Sequence, residues 1–386
     1  MTDASDCPRP TGSEFARQLA ACKADVWRLV QRLPGPEMAA ALREQVQPDA
    51  HWHIFHPLNQ LAGTAAVADQ FYGPLQAAFP DLERRTDLFF GGFWSSPPPG
   101  ALAHSPPGVR AEGWWVTVMG HYMGSFTQPW LGIPATGDVA TLRFGEFYRW
   151  QPHPSCQGGQ IVEARVLLDI VDLARQAGRR LLPVSAPSAG LRPARPPRGS
   201  SKVAKQRLLE SSGQEWQVPG PGPGDGLLLG ATDPAVGAES LRLTLAMFKG
   251  LWDYDGINLD SMGMDRFWHP HMMWYGPCGI GSMRGVRGFQ RHHQRPFLHA
   301  FPDRQGLGHR ARIAEGPFVA SAGWPSVGAT HSGAYLGVPA THRPITMRVA
   351  DWWRCDGRLL TENWVLIDLP HLMLQMDVDL MAALRD

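Results

Sequence analysis

The sequence predicts an α+β fold that is built twice in one chain. In each half, segments with helical spacing of apolar residues come first, and long segments in which apolar and polar residues alternate follow them. Short motifs also recur in the same order in the two halves, which indicates tandem copies of one ancestral domain. They are Phe79-Pro80-Asp81 and Phe301-Pro302-Asp303, Gly132-Ile133-Pro134-Ala135-Thr136 and Gly337-Val338-Pro339-Ala340-Thr341, and Asp169 with Gln176 and Asp368 with Gln375.

The repeat sets the expected domain boundaries. A chain of 386 residues is long enough for two or three domains, and the repeat favours two. We predict a first unit over residues 1–178, a linker over 179–237 and a second unit over 238–386. The linker is rich in Pro, Gly, Ser and Arg, and such a composition buries too little apolar area to offset the entropy of ordering. Insertions at residues 95–108 and 152–159 lengthen the first copy.

The first unit opens with helices. Apolar spacing predicts helices over residues 14–33, 36–45 and 64–79, and prolines follow the first and third because proline lacks a backbone N–H. A short strand is expected over residues 52–55. Alternation of β-branched and aromatic residues then predicts strands over residues 84–93, 114–126, 140–150 and 161–171.

The second unit repeats this plan. The same patterns predict helices over residues 239–252 and 286–301, and strands over residues 272–275, 308–315, 318–335, 346–354 and 359–369. Helices followed by a run of hairpin-joined strands are typical of an α+β unit. We expect each sheet to bend strongly around its helices and to leave a conical cavity.

The composition is that of a globular protein with a large core. Hydrophobic residues make up 44% of the chain and charged residues 18%, with 15 Trp and 16 Phe. A formal net charge of +1 argues against nucleic acid or an anionic membrane as the main partner. The five cysteines show no CxxC pair, and no run approaches the roughly 18 apolar residues of a membrane span. We therefore expect a cytoplasmic protein.

Several motifs of the second copy stand in a familiar order. They are Trp274-Tyr275-Gly276-Pro277, then residues 300–303, 330–341 and 353–364, and finally Asp368. This series resembles the SnoaL-like polyketide cyclase and ester cyclase family of the nuclear-transport-factor-2-like superfamily. The first copy resembles a more diverged member, and it has Arg165 at the position of Trp364.

The resemblance implies two tandem cone-shaped α+β barrels. In the cyclases of the family it further implies cofactor-free aldol ring closure in which an aspartate acts as acid and base. The aspartate that fits this motif position is Asp368, and Asp169 fits it by the repeat.

Asp368 is also a candidate base on chemical grounds. Abstraction of a proton next to a carbonyl needs a base with a raised pKa, and a carboxylate at the end of an apolar strand acquires one by desolvation. The alternative is that Asp368 is the N-cap of a helix that begins near residue 369. His331 lies at a position of a predicted strand that could face the cavity, where it would assist by polarising a carbonyl. Its counterpart in the repeat is His121. The alternative is a histidine that is hydrogen-bonded to the sheet for structural reasons.

Aromatic and sulfur-containing side chains of the second copy are expected to line or close the pocket, although plain core packing is the alternative for each. The predicted pocket residues are Trp274, Tyr275, Met273, Trp364 and Trp353 of the second copy, together with His56 of the first. Arginines and acids that recur on one strand are expected to form ladder salt bridges, with an anion-binding arginine as the alternative. They are Arg348, Arg354 and Asp351, repeated as Arg143, Arg149 and Glu146.

No cofactor or metal is expected. Histidines flank the first strand of each copy, but no Asp, Glu or Cys falls at a suitable spacing in both copies to complete a zinc site. Dinucleotide, Walker and nucleophile-elbow motifs are missing from the sequence.

The sequence thus predicts a cofactor-independent acid/base enzyme of the cyclase, isomerase or dehydratase type that acts on a small apolar carbonyl compound. The alternative is a non-catalytic module that binds a small ligand or another protein. Either way, we expect the sheets to pair as an internal pseudo-dimer or in a homodimer.

Overall fold

The protein is α+β, as the sequence predicts, and contains two units with seven strands in each sheet. The computed structural model describes residues 12–94, 112–152, 158–182 and 226–384. The predicted insertion at 95–108 lies outside the described residues, as do most of the insertion at 152–159 and most of the predicted linker.

The first unit places its helices before most of its sheet. Its helices are α1 (Gly12–Val30), α2 (Met38–Gln45), α3 (Gly63–Val67), α4 (Gly73–Ala78) and α5 (Ile170–Gln176). Its strands are β1 (Val46–Ile54), β2 (Gln60–Ala62), β3 (Glu83–Trp94), β4 (Gly113–Ser125), β5 (Val139–Pro152) and β6 (Gly159–Leu168).

The second unit has the same order of elements. Its helices are α6 (Pro234–Trp252), α7 (Gly285–Phe289), α8 (Arg295–Ala300) and α9 (Leu369–Gln375). A short strand precedes it, β7 (Gly226–Leu227), and its own strands are β8 (Trp268–Tyr275), β9 (Ser282–Arg284), β10 (Gln305–Gly306), β11 (Ala311–Glu315), β12 (Phe318–Thr330), β13 (Pro344–Cys355) and β14 (Leu360–Ile367).

Strand pairing is equivalent in the two units. The first sheet has the order β2-β1-β6-β5-β4-β3-β7, and the second has β10-β12-β13-β14-β8-β9 with β11 also paired to β12. The long strands are antiparallel, whereas β1 pairs parallel to β6 and β8 pairs parallel to β14. Because side chains alternate across a sheet, each long strand gives one face to its own helices and the other face to the outside of the unit.

The helices predicted over 64–79 and 286–301 are each interrupted by one π-helical turn. The turns are Ala68–Tyr72 and Gln290–Gln294, and each is followed by a segment with proline in its first turn. Gly73 N–H bonds to the carbonyl of Ala68, five residues back. A proline at the next position has no N–H to continue an α-helical ladder, which favours the wider turn here.

Part of the region predicted to be linker forms regular secondary structure. Strand β7 pairs parallel to β3. Helix α6 begins at Pro234, five residues before its predicted start, because the Asp233 side chain caps it by accepting a hydrogen bond from Ala235 N at 2.8 Å.

The two units pack against each other through the outer faces of their sheets. The indole of Trp352 on β13 is fully buried against the first unit, where its Nε1 donates to Thr117 Oγ1 at 2.8 Å. Its ring lies 5.4 Å from that of Phe147. The first unit makes room for it with Gly145, since a Cβ at this position would lie 2.2 Å from Trp352 Cη2.

A buried ion pair crosses between the units beside α1. Lys23 Nζ donates to Glu315 Oε1 at 2.5 Å and also to two backbone carbonyls, those of Leu228 and Gly230. Glu315 additionally accepts from Gly91 N at 2.8 Å. Every charged atom of the pair thus has a partner, which is the condition for a buried ion pair to be tolerated.

Within the described ranges, no helix combines the length and apolar character needed to span a membrane. The cytoplasmic location stays a prediction.

Gly145→Ala is predicted to destabilise the protein. The added methyl overlaps the Trp352 ring, and overpacking of this kind costs about 1 to 3 kcal/mol. Gly288→Ala is the matched control, because a Cβ on this helical glycine meets no atom within 4 Å. Urea unfolding of the two variants measures the difference. Equal midpoints would contradict the packing described for Trp352.

Candidate functional site

The structure places Asp368 at the contact between the units. Its carboxylate is 1% exposed and caps α9 by accepting from His371 N at 3.2 Å. It also accepts from Arg348 Nη1 at 3.0 Å and, across the contact, from His56 N at 3.0 Å. Burial raises the pKa of Asp368 to about 6, and these donors oppose the rise. The hydrogen bonds therefore show Asp368 as a helix cap, which is the alternative that the sequence left open. They also show that Asp368 bonds to the first unit through His56 N.

Asp169 makes the reciprocal tie. It caps α5 through Asp172 N at 3.3 Å, lies 3.7 Å from the Arg143 guanidinium, and accepts from Cys278 N of the second unit at 2.9 Å. Arg143 also crosses the contact, where its guanidinium donates to the carbonyl of Tyr275 at 3.0 Å. The two predicted catalytic aspartates thus hold equivalent places on either side of one interface.

His331 is buried and its structural counterpart is Phe126, not His121. Thr127 N and Ser332 N, each one residue further on, both bond to the carbonyl at the end of the preceding helix, at 2.9 and 2.8 Å. His331 Nδ1 accepts from Thr341 N at 3.3 Å, so its ring is neutral with the hydrogen on Nε2.

His121 lies on the surface of the first sheet. Its Nδ1 is 2.9 Å from Asp87 Oδ2, and about half of each side chain is exposed. The sequence repeat did not distinguish the two histidines because they fall on similar strands, but the hydrogen bonds do.

The predicted pocket residues divide between core and interface. Trp274 packs in the core against His293, 4.3 Å between rings, and Trp353 packs against Phe248 at 5.2 Å. Tyr275 and Trp364 stack on each other at 5.5 Å. Met273 is half-buried on β8 beside them, and His56 contributes its backbone to Asp368. None of these residues, and none of the four predicted catalytic residues, lines either of the two cavities described below.

The second unit contains a cavity of about 540 Å³ between its helices and the inner face of its sheet. It is lined by α6, by the helical segments from α7 to α8, and by β10 to β13. The lining residues are Leu245, Phe248, Lys249, Leu251, Trp252, Met262, Phe289, His293, Gln294, Phe297, Leu298, Arg304, Gly306, Gly308, His309, Arg312, Ser326, Val327 and Asp351.

Asp351 is the one carboxylate among the described residues that line this cavity. It lies on β13 with its side chain on the inner face, where its hydrogen-bond partner is Asn363 Nδ2 at 3.5 Å. Burial raises the pKa of Asp351 to about 7, and the weak contact with Asn363 lowers it only slightly. A carboxylate with this pKa takes up and releases protons at neutral pH.

Two further lining residues each have a buried polar atom without a hydrogen-bond partner. Gln294 is 5% exposed and its Oε1 has no hydrogen-bond partner in the described structure, and neither does His293 Nδ1. Burial lowers the pKa of His293 to about 4, so the ring is neutral. Buried polar atoms without partners are rare in native proteins.

His309 is a neutral donor on the same wall. Its Nδ1 accepts from Arg312 Nε at 3.0 Å, and burial together with the charge of Arg312 lowers its pKa to about 3. A neutral ring whose Nδ1 accepts must carry its hydrogen on Nε2.

The corresponding space of the first unit is filled by an ionic cluster. Glu146 is fully buried and forms an ion pair with Arg84. It also accepts from Tyr122 Oη at 3.0 Å and from Tyr148 Oη at 2.9 Å. With every oxygen of its carboxylate bonded, Glu146 has no free position for a ligand.

Glu146 and Asp351 occupy the same position of the repeat. The carbonyl three residues before Glu146 accepts from Asp169 N at 3.0 Å, and the carbonyl three residues before Asp351 accepts from Asp368 N at 3.1 Å. One repeated acid is thus neutralised inside the first unit and left nearly unpartnered inside the second.

The interiors of the two units differ in sequence at the position of Gly306. It lies three residues after Asp303, as Arg84 lies three residues after Asp81, and the two aspartates accept equivalent hydrogen bonds from the end of the neighbouring strand, at 2.8 and 2.7 Å. Glycine therefore stands where the first unit has the arginine that fills its interior. A Cβ at Gly306 would lie 3.0 Å from Trp252 Cζ2, and both residues line the cavity of the second unit.

Another cavity, of about 610 Å³, lies between α1 and α6. Most of its lining is apolar, and the Lys23–Glu315 ion pair forms part of its wall. It shares Leu245 and Arg312 with the cavity inside the second unit. Because the ion pair is fully bonded, this cavity offers less reactive chemistry.

In the portion of the chain that the structure describes, no group of three or more His, Cys, Asp or Glu side chains is placed to hold a metal ion. The flanking histidines do not assemble there into a ligand set.

Comparison with known families now identifies the second unit. Residues 250–376 match the model of the family described as SnoaL-like polyketide cyclase. The second unit is a SnoaL-like domain. The family resemblance of its motifs is thereby confirmed, and the match covers β8 to β14 of this SnoaL-like domain together with the helices between them. The match does not extend to the first unit.

Solved structures of similar proteins align with about a third or more of the chain. AclR from Streptomyces galilaeus is 23% identical and covers 36% of this chain and 97% of its own, with a TM-score of 0.30. IdmH from Streptomyces antibioticus is 20% identical over 36% of this chain and 99% of its own, with a TM-score of 0.30. A nuclear transport factor 2-like superfamily protein from Salmonella enterica is 12% identical. It covers 40% of this chain and 92% of its own, with a TM-score of 0.28. No curated protein matches the chain.

Asp368→Asn is predicted to lower the free energy of unfolding by about 2 to 4 kcal/mol, because Arg348 loses its buried counter-ion and an amide NH₂ replaces an acceptor of backbone N–H groups. Asp377→Asn is the control at an exposed ion pair, Arg343–Asp377, and is expected to cost less than about 1 kcal/mol. Chemical denaturation measures both. A loss at Asp368 no larger than that at Asp377 would show that the tie contributes little.

Asp351→Asn is predicted to act in the opposite direction and to depend on pH. The folded-state pKa of about 7 lies above the unfolded value, so wild-type stability falls as pH rises toward 7 and the ionised carboxylate is buried. The asparagine variant lacks this loss, and its stability relative to wild type should rise by about 2 kcal/mol between pH 5 and pH 8. Thermal unfolding at both pH values is the measurement, and a pH-independent difference would refute the raised pKa.

Proposed function

We propose that the SnoaL-like domain is a cofactor-independent acid/base enzyme that acts on a carbonyl compound in its cavity, with Asp351 as the base. The observation that carries the proposal is a carboxylate with a pKa near 7 that faces a cavity of about 540 Å³ and has only one weak hydrogen-bond partner there. Perturbed acids in apolar cavities are typical of sites of proton transfer.

The chemistry follows from the protonation states. Ionised Asp351 removes a proton from the carbon next to the carbonyl, and an enolate forms. In an isomerisation the carboxylic acid then returns the proton to another carbon of the enolate, and in a dehydration it gives the proton to the β-hydroxyl group, which leaves as water. In a ring closure the enolate carbon attacks a second carbonyl of the ligand, and the alkoxide that forms takes the proton from Asp351. Isomerisation, dehydration and ring closure all share this first step, which places them in one proposal.

His309 is the proposed partner for the enolate oxygen. Its Nε2 carries the hydrogen because Nδ1 accepts from Arg312, and it lines the same cavity as Asp351. A neutral imidazole N–H stabilises a developing oxyanion by donating a hydrogen bond to it, and the imidazole keeps its proton.

Asp368 and Asp169, which the family resemblance suggested as acid and base, are assigned to the contact between the units in this proposal. Asp368 receives hydrogen bonds from three different residues and an arginine is one of them, so its carboxylate is held in place by the fold. The first unit would then act as a scaffold, because its own acid, Glu146, is bonded to Arg84.

Asp351→Asn is predicted to reduce proton abstraction by about 100-fold to 10,000-fold, the usual contribution of a general base. Exchange of the α-protons of an aryl ketone such as 2-tetralone in D₂O, followed by NMR, measures this step without knowledge of the natural substrate. The wild-type rate should rise with pH through about 7, because the base must be ionised.

Asp368→Asn serves as the comparison, assayed at equal concentrations of folded protein. Loss of exchange in Asp368→Asn with normal exchange in Asp351→Asn would reverse the assignment in favour of the family motif position. Ligand binding without any exchange by the wild-type protein would instead favour the non-catalytic binding module.

A further inference from the structure

The cavity of the SnoaL-like domain carries more positive charge than its acid can balance. Lys249, Arg304 and Arg312 line it, whereas Asp351 is the one acidic lining residue that the structure describes. The lining histidines do not change this balance, because burial keeps both of them neutral. A net positive cavity attracts anions.

Arg312 contacts two aromatic rings and a histidine but has no counter-ion among the described residues. Its guanidinium lies 5.1 Å from the centre of the Trp94 ring and 5.7 Å from that of Phe248, and it donates to His309 Nδ1. Among the described residues no carboxylate lies within ion-pair distance of it. Burial lowers the pKa of Arg312 to about 10, which reflects a charge that the protein desolvates without compensation.

Arg304 shows the same features at the other side of the cavity. It donates to the carbonyl of Leu251 at 3.0 Å and lies 5.4 Å from the ring centre of Trp252 and 5.9 Å from that of Tyr254. No carboxylate in the described ranges pairs with it either. Burial lowers its pKa as well.

Two other partly buried arginines that the structure describes have carboxylate partners. Arg84 pairs with Glu146, and Arg348 pairs with Asp368. A desolvated guanidinium without an anion is costly, since burial removes hydration that only a partner can replace. Two such arginines that line one cavity indicate that the missing anion belongs to a ligand.

We propose that this cavity binds a ligand that carries an oxyanion, a carboxylate or a phosphate, which Arg304 and Arg312 hold through charge-assisted hydrogen bonds. The apolar part of the ligand lies against Phe248, Phe289 and Phe297. This inference rests on the proposed function only in that both use the same cavity. It adds a charged group to the carbonyl compound on which Asp351 would act.

Equilibrium binding of three probes with the same ring system tests the inference. The probes are 2-naphthoate, 2-naphthyl phosphate and the uncharged methyl 2-naphthoate, each titrated by calorimetry into the wild-type chain. At least one of the anions should bind about 10-fold to 100-fold more tightly than the ester, and the preferred anion tells carboxylate from phosphate. Equal affinity for all three probes, or no binding of either anion, would overturn the inference.

Charge-neutralising variants locate the site. Arg304→Gln and Arg312→Gln should each remove most of the preference for the anion, whereas Arg304→Lys and Arg312→Lys should retain part of it and also show that the fold survives. Arg358→Gln, at an exposed turn outside the cavity, is the matched control. An undiminished preference in the Arg304→Gln/Arg312→Gln double variant would contradict the inference.

Asp351→Asn separates this inference from the proposed reaction. It should leave the preference for the anion intact, or strengthen it, while it abolishes α-proton exchange. If Asp351→Asn prefers the anion but exchanges α-protons as fast as wild type, Asp351 is not the base and the anion site is retained. If Asp351→Asn loses exchange but wild type shows no preference for the anion, the base is retained and the anion site is refuted.

Discussion

The packing of the two sheets through their outer faces is the constraint on which the rest of the molecule depends. Trp352 seals this contact against Thr117 and Phe147, and the core of the first unit continues through it into residues of the second. Because side chains alternate along a strand, every second residue of β13 is committed to the partner unit. The residues between them face inward, and Asp351 among them lines the cavity.

The two interiors use this inner face in different ways. In the first unit Arg84, Glu146 and two tyrosines satisfy one another, so both oxygens of the Glu146 carboxylate are already bonded. In the second unit Gly306 stands at the position of Arg84, and Asp351, which lines the cavity, has one weak partner. A single repeated acid therefore stabilises one unit and is held under an unfavourable desolvation in the other.

Much of the fold follows from the sequence, since the repeat, the helical spacing and the long alternating segments predict both units and most of their strands. The π-helical turns do not follow from these patterns, because an extra residue in one turn changes the apolar spacing only slightly. The early start of α6 depends on the single cap at Asp233, which lies in a segment whose composition is typical of a linker.

The candidate site is harder to predict from the sequence than the fold, because the ladder interpretation ignores the alternation of side chains along a strand. That interpretation places Asp351 with Arg348 and Arg354, yet Asp351 is three residues from each of them and so points to the opposite face of the sheet. Arg348 pairs with Asp368 and Arg354 with Glu362, on the outer face. Strict use of the alternation singles out Asp351 as an acid among inward apolar residues. The unpaired arginines lie on separate segments that only the folded chain brings to one cavity.

Covalent duplication frees the two halves from each other's mutations. In an assembly of identical subunits every substitution appears on both sides, so a residue that closes one interior closes the other as well. Here Arg84 has no counterpart in the second unit, while both units contribute a carboxylate to the contact between them. A duplicated chain can thus fill one interior with an ion pair and leave the other interior different, without changing the shared contact.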